Sequence, residues 1–228
     1  MLHWETVSED LKQTLLILME ADVLKDYRLV GGTALSLYLG HRMSVDIDLF
    51  TDAANYGKID YNEIEEFLID TFPYVSGDFG GVPVFGKGYV IGKDKDNAVK
   101  VDIYYASESF TQEAVESDGI RLATIDDIVA MKTDVISRGG RKKDFWDLHE
   151  LLDSYTIDKM IALHAATYEW THDENGIVNN FTDFAQVDED FDPICLKGKE
   201  WAFIKDDFEE ALKKLENGTD PKSPSAKT

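Results

Sequence analysis

Two aspartates at alternate positions in an apolar run are the feature of this sequence that most constrains its fold. The run Val45–Phe50 reads Val-Asp-Ile-Asp-Leu-Phe. In a β-strand, successive side chains point to opposite faces, so the odd-numbered apolar residues would face a core. Asp46 and Asp48 would then lie side by side on the other face. Two like charges held this close repel each other unless a cation lies between them. A hard divalent cation with oxygen ligands, which we expect to be Mg²⁺, is the natural occupant.

A glycine pair lies about a dozen residues before these aspartates. Gly31 and Gly32 allow a tight turn and a close approach of the backbone to a ligand. Thr33 is predicted to cap a helix over Ala34–Leu39, whose first N–H groups would point at a bound anion. An anion cradle beside a carboxylate pair is the combination that phosphoryl or nucleotidyl transfer requires.

A third carboxylate is predicted on a second strand, Ala98–Tyr105. The alternation of this segment places Lys100, Asp102 and Tyr104 on one face and apolar residues on the other. If this strand adjoins the first, Asp102 completes a metal site with Asp46 and Asp48.

One lysine occupies a position where the pattern calls for a hydrophobic residue. A helix is predicted from Thr124 to Ser137, with Ile125, Ile128 and Val135 on its apolar stripe. Lys132 lies on the same stripe. A lysine in a core costs several kcal/mol unless it is paired. Two alternatives follow: Lys132 faces a polar cleft beside the sheet carboxylates, or its stem reaches out to solvent.

Composition indicates a globular protein of the cytoplasm. The 228 residues are 43% hydrophobic, without a secretory signal or an apolar run long enough to span a membrane. The single cysteine, Cys195, excludes an intrachain disulfide and a cysteine-cluster metal site.

The formal net charge is −22, which opposes long-range attraction of nucleic acids. A polynucleotide contact would therefore need a local basic patch. The segment 138–143 is the one concentrated patch; it either complements the negative end of the preceding helix or binds a triphosphate or an RNA backbone. Residues 171–196 contain seven acidic residues and no Lys or Arg, which predicts a long loop or insertion.

Two segments resemble a known family. Gly-Gly-Thr-Ala-Leu at 31–35, followed by His-Arg-Met-Ser-Val-Asp-Ile-Asp-Leu-Phe at 41–50, resembles the AbiEii/AbiGii toxin family within the nucleotidyltransferase superfamily of DNA polymerase β. The run 127–148 resembles the C-terminal motif of that family. We therefore expect an α+β fold. A small mixed β-sheet nucleotidyltransferase core flanked by helices would span 1–115, a C-terminal helical domain 116–217 and a flexible tail 218–228, with the active cleft between the two domains.

The resemblance implies metal-dependent transfer of a nucleoside monophosphate (NMP) from an NTP to an acceptor hydroxyl. The expected ligands of one or two Mg²⁺ ions are Asp46, Asp48 and Asp102. Catalytic roles extend to Lys132 and Asp144, with Asp147 as a further candidate. The expected nucleotide contacts are Gly31, Gly32, Thr33, Arg42, Ser44 and Lys132.

The family further implies the toxin of a toxin–antitoxin or abortive-infection pair, with a cognate antitoxin and tRNA as the acceptor. Two alternatives are a nucleotidyltransferase that modifies a small molecule or a protein, and a non-catalytic module that binds a nucleotide or an antitoxin.

Overall fold

The computed structural model describes residues 1–81 and 83–216, so the predicted tail at 218–228 lies outside the described residues. Seven strands of this part form one mixed sheet. They are β1 Tyr27–Leu29, β2 Asp46–Thr51, β3 Tyr74–Gly77, β4 Gly86–Gly92, β5 Ala98–Tyr105, β6 Val115–Ser117 and β7 Ile120–Leu122. The expected α+β class with a mixed sheet is confirmed.

The order of the strands in the sheet is β3-β4-β5-β2-β1-β7-β6. The central pair, β2 and β5, is parallel, and β1 pairs with β7 in parallel as well. The remaining pairs are antiparallel. The two strands that carry the predicted metal ligands are therefore direct neighbours in the middle of the sheet.

Three of the described helices lie between or before the first strands, and five follow β7. They are α1 Glu9–Glu20, α2 Gly31–Leu39, α3 Tyr61–Thr71, α4 Ile125–Ser137, α5 Lys142–His149, α6 Ile157–Thr167, α7 Glu174–Asn180 and α8 Trp201–Glu216. None of the helices in the described ranges is long and apolar enough to cross a membrane.

The chain divides into two compact units. The first comprises Met1–Ile128 with Ile194–Lys197, and the second comprises Val129–Pro193 with the rest of the chain from Gly198. The boundary predicted near residue 115 falls before β6 and β7, which pair with each other and extend the sheet of the first unit.

One face of the sheet is the core of the first unit. Ile47 and Leu49 of β2 are buried, as are Val101 and Ile103 of β5. Helix α1 packs against β2, β4, β5 and β7, and α3 packs against β3. Val45 departs from the prediction: β2 begins only at Asp46, and Val45 is 71% exposed instead of facing the core.

The second unit is helical and has an aromatic core. Phe145 of α5 contacts the rings of Phe184 and Trp201, and Phe208 of α8 stacks on Phe181. The acidic segment 171–196 was predicted as a long loop, which is wrong in part because it contains α7. Four of its apolar residues are spaced at helical intervals and are buried: Ile177, Phe181, Phe184 and Val187.

A buried ion pair links α3 to β4. The ammonium of Lys87 lies 2.5 Å from Glu65 Oε1 and also donates to the carbonyl of Gly80. The N–H of Gly80 donates to Glu65 in return. Burial opposes ionisation of Glu65, but the hydrogen bonds from Lys87 and Gly80 outweigh it and lower the pKa of this carboxyl from its usual 4.5.

We predict that Glu65→Gln lowers the free energy of unfolding by about 3 kcal/mol at pH 7, because Lys87 is left buried without its counter-charge. A lowered carboxyl pKa stabilises the fold above pH 4.5, and this contribution is lost as the pH falls through the folded pKa. The difference between the two proteins should therefore narrow below pH 4.5. Urea unfolding at pH 7 and at pH 4 measures it, with exposed Glu66→Gln as the control. The same difference in the free energy of unfolding at both pH values would contradict a lowered pKa of Glu65.

Candidate nucleotidyl-transfer site

The pairing of β2 with β5 brings the predicted carboxylates together. Asp48 is the direct partner of Asp102, and Asp46 is the partner of Lys100. Paired residues of neighbouring parallel strands point to the same face, and the strands are about 4.8 Å apart. Because Ile47 and Leu49 point into the core, the three aspartates share the opposite face. We call Asp46, Asp48 and Asp102 the sheet carboxylates.

Two glycines leave room for these side chains. A Cβ on Gly31 would lie 2.9 Å from Asp48 Oδ2, and a Cβ on Gly88 of β4 would lie 2.9 Å from Asp102 Oδ1. Gly31 also has a φ of +70°, which side-chain-bearing residues rarely adopt. The first glycine of the predicted motif is thus required by conformation and by its contact with Asp48. Gly88 is a site feature that the sequence analysis missed, since only the strand pairing shows it opposite Asp102.

Helix α2 begins three residues earlier than predicted, at Gly31, and its N-cap is Val30. Thr33 therefore lies inside the helix, and the prediction that it caps the helix is wrong. Its hydroxyl donates to the backbone carbonyl of Asp46 and accepts from Ser44 Oγ at 2.8 Å. Thr33 and Ser44 thus fasten α2 to the start of β2. The first N–H groups of the helix remain the candidate anion donors, as in any helix whose N-cap has no side-chain acceptor.

Arg42, another expected nucleotide contact, is buried in the first unit. Its Nη1 donates to the carbonyl of Met43 at 2.9 Å, and its backbone forms an isolated bridge with Cys195. These contacts fix the segment that leads into β2. Nucleotide binding by Arg42 and Ser44 stays a prediction.

The sheet carboxylates fit a divalent cation by donor type, because hard ions such as Mg²⁺ prefer carboxylate oxygens. The raised pKa of Lys100 reflects the negative electrostatic potential of the site. Its hydrogen bond to Asp102 raises its pKa, and the charges of Asp102, Asp46 and Asp48 add to the effect despite partial burial. Within the described ranges, no group of three or more His, Cys, Asp or Glu side chains is arranged to hold a metal ion. The backbone thus places the sheet carboxylates on one face of the sheet.

Lys132 of α4 is paired with carboxylates of the second unit. Its ammonium is buried in the second unit, 2.5 Å from Asp144 Oδ1 and 2.8 Å from Asp147 Oδ2. Both aspartates belong to α5 and are almost fully buried. Asp144 Oδ2 also accepts the N–H of Arg141 at the start of that helix. The alternative in which the Lys132 side chain extends to solvent is therefore wrong. Its ion pairs connect α4 to α5.

The buried stripe of α4 also differs in register from the prediction. Ile125 and Val135 are half-buried, whereas Val129, Thr133 and Ile136 are buried together with Ile128. Helix α4 is buried on more than one side. The predicted apolar stripe, with residues spaced three to four apart, therefore covers only part of its buried surface.

The basic patch 138–143 is largely neutralised within the second unit. Lys142 is buried, its ammonium donates to the carbonyls of Asp188 and Asp190, and it lies 3.0 Å from a carboxylate oxygen of Asp192. Arg138 pairs with Asp134 one helical turn before it. The acidic segment thus supplies two backbone carbonyls and one carboxylate to Lys142.

Comparison with known proteins agrees with this arrangement. The profile of the family described as nucleotidyl transferase AbiEii toxin, type IV toxin–antitoxin system, matches residues 15–226. The chain belongs to this family. It is therefore a nucleotidyltransferase, and the expectation from the glycine and aspartate motifs is confirmed. No curated protein shows significant sequence similarity to the chain.

Two solved structures share the fold of this AbiEii-family protein. JHP933 from Helicobacter pylori is 18% identical, with a TM-score of 0.57 over 92% of this chain and 90% of the other. MenT4, a nucleotidyltransferase toxin from Mycobacterium tuberculosis H37Rv, is 13% identical, with a TM-score of 0.55 over 90% of this chain and 82% of the other. At these identities the likeness establishes the fold alone.

We predict that Gly31→Ala lowers kcat/KM for the NTP by about 10²-fold, because its Cβ would displace the Asp48 carboxylate. Gly57→Ala is the matched control: Gly57 has a φ of +73°, but nothing lies within 4 Å of its Cβ position. Both variants should lose about 1 kcal/mol of stability through backbone strain. Steady-state kinetics and thermal unfolding separate the two effects. Equal activity of the two variants would contradict the role given to Gly31.

We predict that Lys132→Met lowers the free energy of unfolding by about 3–5 kcal/mol, since two buried carboxylates then lose their cation. The exposed pair Lys213–Glu209 provides the control, and Lys213→Met should change stability by less than about 1 kcal/mol. Denaturant unfolding followed by tryptophan fluorescence measures both. Unchanged stability of Lys132→Met would mean that the ion cluster contributes little to the fold.

Proposed function

We propose that this nucleotidyltransferase moves an NMP from an NTP to a hydroxyl of tRNA in the cytoplasm, with a divalent cation, Mg²⁺, on the sheet carboxylates. The observation that carries the proposal is the pairing of Asp48 with Asp102 beside the start of α2. It sets three carboxylates and a set of helix N–H groups in one compact unit. The family description, type IV toxin–antitoxin system, further supports a role as a toxin with a cognate antitoxin.

The residues of the first unit supply binding, positioning and proton transfer. Asp46, Asp48 and Asp102 would hold the cation, which when bound neutralises charge on the triphosphate. The N–H groups at the start of α2 bind terminal phosphate oxygens, and Gly31 lets the backbone approach them. Thr33 and Ser44 keep α2 fixed against β2 through their hydrogen bonds.

The reaction that fits these groups is an in-line displacement at the α-phosphorus. The acceptor oxygen forms a bond to that phosphorus, the bond to the bridging oxygen breaks, and pyrophosphate leaves. Asp102 accepts the proton of the acceptor hydroxyl, which is the role of a general base. The products are the NMP ester of the acceptor and pyrophosphate.

Lys132 and Asp144 keep their expected catalytic roles as part of this proposal. Their mutual contact in the second unit supports a positioning role first, because the ammonium already has two carboxylate partners. The Lys132→Met variant must therefore be assayed under conditions where it is folded.

A second acceptor class is favoured by one observation. The net charge of −22 repels a polyanion such as tRNA and attracts a cationic small molecule or protein side chain. Such an acceptor would use the same carboxylates and the same displacement. The remaining alternative, a non-catalytic module, predicts binding of the NTP without release of pyrophosphate.

The test is incubation of the protein with each α-labelled NTP, Mg²⁺ and either total tRNA or a tRNA-free lysate fraction. We expect label to move to tRNA, and Asp46→Asn, Asp48→Asn and Asp102→Asn each to reduce the rate by more than about 10³-fold. Asp96→Asn is the matched control, because it makes the same charge change in an exposed turn.

Each alternative gives a distinct result in this assay. Label on a small molecule or protein but not on tRNA would show that the acceptor is not tRNA, and the proposed displacement mechanism would still hold. Equal transfer by the wild type and Asp46→Asn would contradict the assignment of the sheet carboxylates. Binding of an NTP without any pyrophosphate release would favour the non-catalytic module.

A further inference from the structure

Lys100 lies among the sheet carboxylates and was not assigned a role by the sequence analysis. Its ammonium lies 2.5 Å from Asp102 Oδ2, and its position on β5 is directly beside Asp46 of β2. Asp48, the strand partner of Asp102, lies on the same face of the sheet. The positive charge of Lys100 therefore lies beside the carboxylates of both strands.

The ion pair and a divalent cation compete for the same oxygen atoms. Asp102 is one of the sheet carboxylates, and it accepts a hydrogen bond from Lys100. A cation bound to Asp102 and a lysine bound to Asp102 would also repel each other at this distance.

The side chain of Lys100 has the properties needed to move away from Asp102. Its side chain is 55% exposed, whereas that of Asp102 is 20% exposed. An exposed lysine–carboxylate pair contributes little net stability, and a lysine stem has several rotatable bonds. The buried pairs of Lys87, Lys132 and Lys142 in the same chain lack this freedom, since each ammonium is enclosed by protein.

We propose that Lys100 is an internal counter-ion of the sheet carboxylates, which a divalent cation must displace from Asp102 before that side chain can bind it. This inference rests on the proposed metal-dependent function. Lys100 is a positioning residue: it holds Asp102 and weakens cation binding at the site, and it lowers the repulsion among the three aspartates when no cation is bound.

The test is the affinity of the full-length protein for Mn²⁺ alone, measured by isothermal titration calorimetry without nucleotide. We expect Lys100→Met to bind Mn²⁺ about tenfold more tightly than the wild type, because the competing charge is gone. Lys100→Arg should restore wild-type affinity by restoring the charge. Lys93→Met is the matched control, because Lys93 is exposed and pairs with Asp10, away from the triad.

Thermal unfolding gives a second readout of the same idea. In EDTA, Lys100→Met should unfold at a lower temperature than Lys93→Met, because the carboxylate of Asp102 then loses its paired ammonium. Saturating Mn²⁺ should remove most of that difference, since the cation replaces the missing charge. A structural ion pair without competition would give the same deficit with and without Mn²⁺.

A measurement on the wild type does not depend on the folding of any variant. In an NMR titration with Mg²⁺, the side-chain signals of Lys100 should shift as the site fills, whereas those of Lys93 should stay in place. If the cation binds and the Lys100 signals do not move, the displacement is contradicted.

The outcomes separate this inference from the proposed function. Equal or weaker Mn²⁺ binding by Lys100→Met, with clear binding by the wild type, overturns the counter-ion role and leaves the metal-dependent reaction intact. Absence of Mn²⁺ binding by both proteins overturns the metal site itself, and the counter-ion role with it.

Discussion

The parallel pairing of β2 with β5 is the constraint on which the candidate site depends. Side chains alternate along a strand, so a slip of one residue would turn Asp102 toward the core and leave Asp48 without a neighbouring carboxylate. The register is fixed by the other face of the same strands, where Ile47 pairs with Val101 and Leu49 with Ile103, all buried. The hydrophobic core thus specifies the positions of the polar groups. A helix start at Gly31, fastened by Thr33, then lies beside the carboxylates.

A second theme is where a chain with a net charge of −22 places its lysines. Several lie directly against carboxylates: Lys87 with Glu65, Lys100 with Asp102, and Lys132 with Asp144 and Asp147. The buried pairs join elements within each unit. Removal of either partner would leave an uncompensated buried charge and destabilise the fold. The pair formed by Lys100 differs in exposure and in its place among aspartates that share one face. The same type of ion pair thus occurs both in a buried setting and in an exposed one.

The sequence predicted the parts of the site that depend on local pattern. Alternation alone placed Asp46 and Asp48 on one face, and it predicted β5 with its correct bounds. That β5 adjoins β2 was an expectation, and the pairing confirms it. Features set by distant partners were not predictable in this way. The buried contacts of Lys132 require α5 to fold back on α4, and the clash that excludes a side chain at Gly88 is visible only once β4 pairs with β5. The prediction of a loop at 171–196 relied on the acidic composition of the segment and therefore missed α7, although the buried residues of this segment have helical spacing.

The central claim is that Asp46, Asp48 and Asp102 bind one divalent cation next to the triphosphate of an NTP. A crystal structure of the wild-type protein with Mn²⁺ and a non-hydrolysable NTP tests this most directly, because the anomalous signal locates the ion. The account predicts Mn²⁺ bonded to carboxylate oxygens of all three aspartates, with terminal phosphate oxygens at the N–H groups of α2 and Lys100 turned away from Asp102. Mn²⁺ and nucleotide bound elsewhere, with Asp102 still paired to Lys100, would contradict it.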